Sequence, residues 1–301
     1  MGVSGREAFV NMKPQRVTLR DHLAPPECLR DFGVRMQSRL ESRWTRVGGL
    51  RLHSRSSASQ NGARFLLIHG LVISSLYMIP LAECLAMEAE VHALDLPGFG
   101  RSEKPPEPLD VAGLAKFVAQ WMAGQGGGAW HVVGNSFGCQ VSAELAAEHP
   151  ELMATLTLIG STIDPSAPRL WRQAFRLFRD ARREPFRLWF NHFVDYARAG
   201  PRFAVALMQT MMKDRIETKL PRIEAPTLVM RGEFDYVAPP RWMNQMTALL
   251  PRGQFLEIPN GSHCVHYAAP DSVAEAIRDF IAATPEAGAT NSRSLSSSSL
   301  R

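Results

Sequence analysis

The run Val132-Val133-Gly134-Asn135-Ser136-Phe137-Gly138-Cys139 constrains this chain more than any other segment. A short apolar strand there passes directly into Gly-x-Ser-x-Gly and then into the helical pattern Gln140 to His149. A serine on so sharp a strand-to-helix turn is pushed clear of the sheet. Glycines two residues to either side let the flanking strand and helix approach without a side-chain clash. Ser136 is therefore a candidate nucleophile; read as a plain small residue, it would only cap the helix that follows. Five residues are a short pattern, so the neighbouring segments have to decide between the two.

Upstream, Arg64 to Ile68 reads as a buried strand ending in His69-Gly70-Leu71, followed by a helical stretch from Leu76 to Met87. Acyl transfer needs backbone N–H donors aimed at a developing oxyanion, and the loop after this strand can supply one. The candidates are the N–H groups of Leu71 and Phe137. His69 lies too early in the chain order to be a base and is read as a structural histidine bracing the loop. The strand Val91 to Leu94 ends in Asp95-Leu96-Pro97-Gly98-Phe99-Gly100-Arg101-Ser102. A dinucleotide fingerprint would need Gly-x-Gly-x-x-Gly opening a helix, and Pro105, Pro106 and Pro108 prevent one from starting, so Asp95 is expected to pin a turn.

Downstream, Ala225 to Gly232 forms a β-branched strand that stops at Glu233-Phe234-Asp235. A last strand, Phe255 to Ile258, ends in Pro259-Asn260-Gly261-Ser262-His263. Ser136, Asp235 and His263 thus follow the order serine, acid, histidine, each beyond the carboxyl end of a different strand. Two other acids compete for the middle place. Glu233 is adjacent, and Asp164 lies just past the strand Thr155 to Ile159, although Asp164 precedes Pro165 and reads as a turn residue.

With four motifs in this order, the chain resembles the α/β-hydrolase superfamily from about Trp44 to Ile281. The resemblance implies an α/β fold, a mainly parallel sheet flanked by helices with a helical lid insertion. It also implies roles: Ser136 as nucleophile, His263 as general base and acid, Asp235 as orienting carboxylate, and the backbone of Leu71 and Phe137 as oxyanion hole. Epoxide-opening and dehalogenating relatives carry aspartate at the nucleophile position, which here is Ser136. Carbon–carbon hydrolases of ring-fission products share an asparagine like Asn135. They differ at the loop, here Leu71-Val72-Ile73, and in having a tryptophan where this chain has Cys264. The leading expectation is a hydrolase of carboxylic esters or lactones of small to medium apolar acyl groups. A carbon–carbon hydrolase comes next, and then a non-catalytic ligand-binding homologue, since fold alone does not imply function. Perhydrolase-like side activities use the same residues. No metal or organic cofactor is expected.

The 301 residues, 45% of them hydrophobic, suffice for one full core. The segments expected are an N-terminal leader (1–41), two parts of the core (42–160 and 223–284), a helical lid (161–222) and a disordered Ser-rich tail (285–301). The leader carries Pro25-Pro26 and a candidate amphipathic helix from Glu27 to Leu40, and Trp44 to Ser54 reads as an opening hairpin broken at Gly48-Gly49. The lid stripe runs through Trp171, Phe175, Phe178, Phe186, Trp189, Phe190, Phe193, Met208, Met211 and Met212, with one face free to line a pocket. The net charge of +5 is dispersed, and the densest basic cluster, Arg169 to Arg187, follows a helical rhythm, which argues against nucleic acid. Arg183 or Arg187 could grip a substrate carboxylate. The N-terminus shows no signal or anchor pattern, which places the protein in the cytoplasm, away from membranes, with a small-molecule substrate as partner. The oligomeric state is left open. Cys28, Cys84, Cys139 and Cys264 have no metal-type spacing and are expected to be reduced thiols without a disulfide or zinc.

Overall fold

The computed structural model describes residues 38–57, 62–126, 128–164, 195–196 and 198–284. Most of the leader, the tail, the basic cluster Arg169 to Arg187 and the lid aromatics Trp171 to Phe193 lie outside them. The described chain builds an eight-stranded sheet in the order β1-β2-β4-β3-β5-β6-β7-β8. These strands are β1 (Glu41–Val47), β2 (Leu50–Ser56), β3 (Arg64–Ile68), β4 (Glu90–Leu94), β5 (Trp130–Asn135), β6 (Met153–Ile159), β7 (Thr227–Gly232) and β8 (Gly253–Ile258). The opening hairpin is antiparallel, β2 meets β4 antiparallel, and every pairing from β4 to β8 is parallel.

Parallel strands need helical crossovers, and these cover both faces of the sheet. Among the described residues the α-helices are α1 (Ile79–Leu85), α2 (Val111–Gly124), α3 (Phe137–Glu148), α4 (Pro201–Lys213), α5 (Pro240–Leu249), α6 (Val265–Ala268) and α7 (Pro270–Ala282). Successive strand residues point to opposite faces, so Leu66 and Ile68 of β3 join α2, α3 and α5 in one core. Phe65 and Leu67 join α1 and α7 in the other. In α2 the Asp110 carboxylate accepts the Gly113 N–H at 2.7 Å, capping a helix that buries Leu114, Val118, Trp121 and Met122 at helical spacing. Pro270 opens α7, where a missing N–H costs nothing, and Val273, Ala274, Ile277 and Phe280 form its buried stripe.

Among the described cysteines, Cys139 and Cys264 are free and buried. Cys84 is disulfide-bonded, against the expectation of reduced thiols, and its partner lies outside the described residues. No helix among the described residues is long and apolar enough to cross a membrane.

Asp95, just beyond β4, pins its turn as the sequence suggested. Its carboxylate takes His53 Nδ1 at 2.8 Å, the Ser75 N–H at 2.6 Å and the Arg101 N–H at 2.9 Å. Ser102 Oγ donates to the Asp95 carbonyl at 2.6 Å, closing the loop around it. Burial alone would raise the carboxyl pKa, but these donors outweigh it and hold Asp95 at about 2, below the ordinary 3.8. A depressed carboxylate pKa contributes stability that is full above the unfolded-state value and lost as pH falls through the folded one. The difference of nearly two units corresponds to about 2 kcal/mol. Urea unfolding should show this contribution intact at pH 6 and fading between about pH 4 and pH 2. Asp95→Asn should lose it at neutral pH and show a flatter acid limb. An acid limb identical in the two proteins would refute the assignment.

Candidate active site

Ser136 stands at the junction of β5 and α3 with φ 56° and ψ −119°, a conformation that non-glycine residues rarely adopt. The junction forces it, because the chain reverses from strand to helix within one residue. A Cβ at Gly138 would lie 2.3 Å from the Ile68 carbonyl oxygen, and one at Gly134 would lie 2.6 Å from the Gly138 carbonyl oxygen. Only glycine lets α3 start against the end of β3, which is why the serine has a glycine on each side. Two hydrogen bonds hold the turn: the Ser136 N–H donates to Ile159 O at 2.9 Å and the Cys139 N–H to Ser136 O at 3.0 Å. Ser136 stays partly exposed.

His263 lies beyond β8, and its Nδ1 is 3.0 Å from Asp235 Oδ2. Both residues are buried. The other carboxylate oxygen of Asp235 accepts the N–H groups of Val237 at 2.8 Å and Ala238 at 2.9 Å, which fixes the plane of the group. Glu233 turns elsewhere, accepting the Asn260 N–H at 3.0 Å. Asp164 is also buried, and it is Asp235 that holds the 3.0 Å contact to His263 Nδ1.

On the opposite side, the loop after β3 carries the partly exposed Leu71. Val72 beside it has φ 53°, a costly place for a β-branched residue and a sign of a loop held under constraint. Phe137 opens α3 and is fully buried. His69 braces this loop: its Nδ1 lies 2.8 Å from the Gly70 carbonyl, and its Nε2 accepts the Leu96 N–H at 3.1 Å. An Nε2 that accepts is unprotonated, in keeping with the downward shift that burial gives this ring. Cys139 is no rival nucleophile, because burial pushes its thiol up and so disfavours the thiolate. Among the described residues, no group of three or more His, Cys, Asp or Glu side chains could hold a metal ion.

Three supporting residues, Tyr77, Arg231 and Gly160, gave no motif in the sequence. Tyr77 accepts the Gly70 N–H at 3.0 Å and donates to Asn135 Oδ1, clamping the loop after β3 to the residue before Ser136. Asn135 in turn donates to Ile159 O at 3.1 Å and lies 3.5 Å from the His263 carbonyl. Arg231, buried at the end of β7, donates to the carbonyls of Glu233 at 3.0 Å, Asp235 at 2.9 Å and Ala238 at 2.9 Å. Gly160, at φ 57°, ends β6 against the acid–histidine pair. A Cβ there would lie 2.9 Å from Asp235 Oδ2 and 3.0 Å from His263 Nδ1.

The alpha/beta hydrolase family matches residues 65–276. The pimeloyl-[acyl-carrier protein] methyl ester esterase of Xanthomonas campestris pv. campestris is 26% identical over 252 residues, covering 75% of this chain and 97% of the esterase. A poly(3-hydroxyalkanoate) depolymerase of Ectopseudomonas oleovorans is 27% identical over 239 residues, covering 72% of this chain and 83% of the depolymerase. Among solved structures, a bacterial membrane phospholipase A superposes with a TM-score of 0.72 at 26% identity, over 85% of this chain and 90% of the phospholipase.

Gly160 allows a test of the geometry that leaves the reacting groups untouched. Gly160→Ala should push apart the Asp235–His263 pair and slow the labelling of Ser136 by a small phosphonate by roughly 10²-fold, the scale of a 1 Å misplacement. Labelling at the unaltered rate would show that the pair does not act on Ser136.

Proposed function

The chain belongs to the alpha/beta hydrolase family, and from that premise we propose that it hydrolyses carboxylic esters or lactones of small to medium apolar acyl groups through an acyl-enzyme. In this reading Ser136 Oγ attacks the carbonyl carbon and His263 takes its proton. The N–H groups of Leu71 and Phe137 receive the oxyanion. The alcohol leaves with the proton from His263. Water then adds to the acyl-Ser136 by the same route and releases the acid. Asp235 accepts from Nδ1 of His263, so that Nε2 is the nitrogen free to take the serine proton.

One observation carries the reading. The turn of Ser136 rests on Ile159, and the next residue, Gly160, packs against the Asp235–His263 pair, so nucleophile and base flank the same strand end. The ester preference draws on two of the relatives, a pimeloyl-[acyl-carrier protein] methyl ester esterase and a poly(3-hydroxyalkanoate) depolymerase. We further read residues 161–222 as a helical lid between the core segments 42–160 and 223–284. In the described part, α4 buries Leu207 and Met211 in the core and rests Phe203, Met208 and Met212 against it. The carbon–carbon hydrolase reading leaned on Asn135, but that amide is engaged by Tyr77 and Ile159 and has a structural use already.

Two measurements test the proposal. A series of para-nitrophenyl esters from acetate to octanoate should show burst kinetics and repeated turnover, with Ser136→Ala costing about a millionfold. A single slow turnover would mean a receptor. Asp235→Asn should cost up to roughly 10⁴ in kcat, as expected when an acid that fixes the imidazole tautomer becomes its amide. Asp164→Asn should cost far less; the reverse ranking would move the acid to the end of β6.

A further inference from the structure

A second chain of serine, histidine and aspartate lies outside this site, on the open edge of the sheet. In the β1–β2 hairpin Ser42 pairs with Arg55 and Trp44 with His53. Residues opposite one another, and residues two apart, share a face, so these four side chains stand together. His53 Nε2 is 3.0 Å from Ser42 Oγ, and His53 Nδ1 is 2.8 Å from Asp95 Oδ2. His53 and Asp95 are buried, while Ser42 is exposed on the edge strand. The Trp44 ring leans on His53 at 4.8 Å, and Arg101 Nη1 donates to Ser42 Oγ at 3.4 Å.

We propose that Ser42 is a second activated serine, which accepts an acyl group from activated carboxylic esters with His53 as its base, independently of Ser136. The proton positions follow from the partners. Asp95 is ionised near neutrality, and a carboxylate only accepts, so His53 carries its proton on Nδ1. When Nδ1 carries the only ring proton, Nε2 accepts and the Ser42 hydroxyl is the donor to it. That is the order a relay needs: an open hydroxyl, a ring nitrogen ready for its proton, and a shielded anion to stabilise the imidazolium that forms.

In the step, Ser42 Oγ bonds to the acyl carbon and its proton passes to His53 Nε2. The bond from that carbon to the leaving oxygen breaks, and the phenolate departs with the bonding pair. His53 then returns its proton to solvent. The Arg101 guanidinium is the cation beside the developing oxyanion. No helix N-terminus opens at Ser42, which lies within β1, so the acyl group is expected to stay on the serine instead of being turned over.

The experiment uses the full chain carrying Ser136→Ala, treated with para-nitrophenyl acetate and read by peptide mass. One acetyl group should appear on the peptide containing Ser42. It should vanish when Ser42→Ala is added and form at least ~10²-fold more slowly when His53→Gln is added, the lower range for general-base help. Absence of acetyl at Ser42, or an unchanged rate in His53→Gln, would overturn the proposal. Should His53→Gln not fold, the comparison passes to the Ser136→Ala chain in denaturing urea. Equal labelling of Ser42 folded and unfolded would sink the relay, and loss of labelling on unfolding would support it. Turnover by Ser136 does not enter, so this outcome is independent of the main hydrolase reading.

Discussion

The backbone contact at Gly138 is the constraint on which the site depends. With a Cβ position only 2.3 Å from the Ile68 carbonyl oxygen, the first turn of α3 lies directly on the end of β3. That contact draws the loop carrying Leu71 towards the helix start carrying Phe137. It also sets the abrupt reversal that holds Ser136 at φ 56°. A non-glycine residue in such a conformation costs on the order of 1–3 kcal/mol and persists only when its surroundings over-determine it. Here the surroundings are the parallel pairing of β5 with β3 and β6 and the bond from the Ser136 N–H to Ile159.

The Asp235 carboxylate divides its two oxygens between two tasks. Asp235 gives Oδ1 to two backbone N–H groups and Oδ2 to His263. The buried cation nearest in sequence, Arg231, does not compete for that carboxylate. It binds the carbonyls of Glu233, Asp235 and Ala238 and pairs with Glu257. A guanidinium placed on the carboxylate instead would have weakened its hold on the imidazole. Arg231 therefore shapes the acid loop through its backbone and leaves the acid's charge to the histidine.

The parts of this structure that were legible in the sequence are those written as local patterns. Apolar runs closed by glycine and proline gave the strands β3 to β8. Gly48-Gly49 marked the hairpin, and the order Ser136, Asp235, His263 placed three side chains beyond three strand ends. Of the two acids after β7, Asp235 contacts His263 and Glu233 accepts the Asn260 N–H, while His69 accepts the Leu96 N–H. Tyr77, Gly160 and Arg231 were not legible, because each acts through tertiary contacts that have no period in the sequence. Ser42 and His53 were hidden for the same reason: inside a hairpin they read as alternating strand residues, and only the register brings them to Asp95. The disulfide at Cys84 had no spacing signature either.

The loop after β3 shows how the later part of the chain reaches into the site. Val72, in the left-handed region, is followed two and three residues later by Ser74 and Ser75, and a different carboxylate holds each. The Ser75 N–H donates to Asp95 at 2.6 Å from the β4 side, and Ser74 Oγ donates to Asp195 at 2.6 Å from the segment that follows β6. Asp95 lies in a rigid turn with its charge well stabilised. Asp195 is buried with fewer donors, and desolvation pushes its pKa up, so its charged form is the less favoured of the two. The loop is thus anchored firmly on one side and more weakly on the other. The weaker anchor belongs to the segment between β6 and β7, so a shift of that segment would be felt first at Ser74, three residues from Leu71.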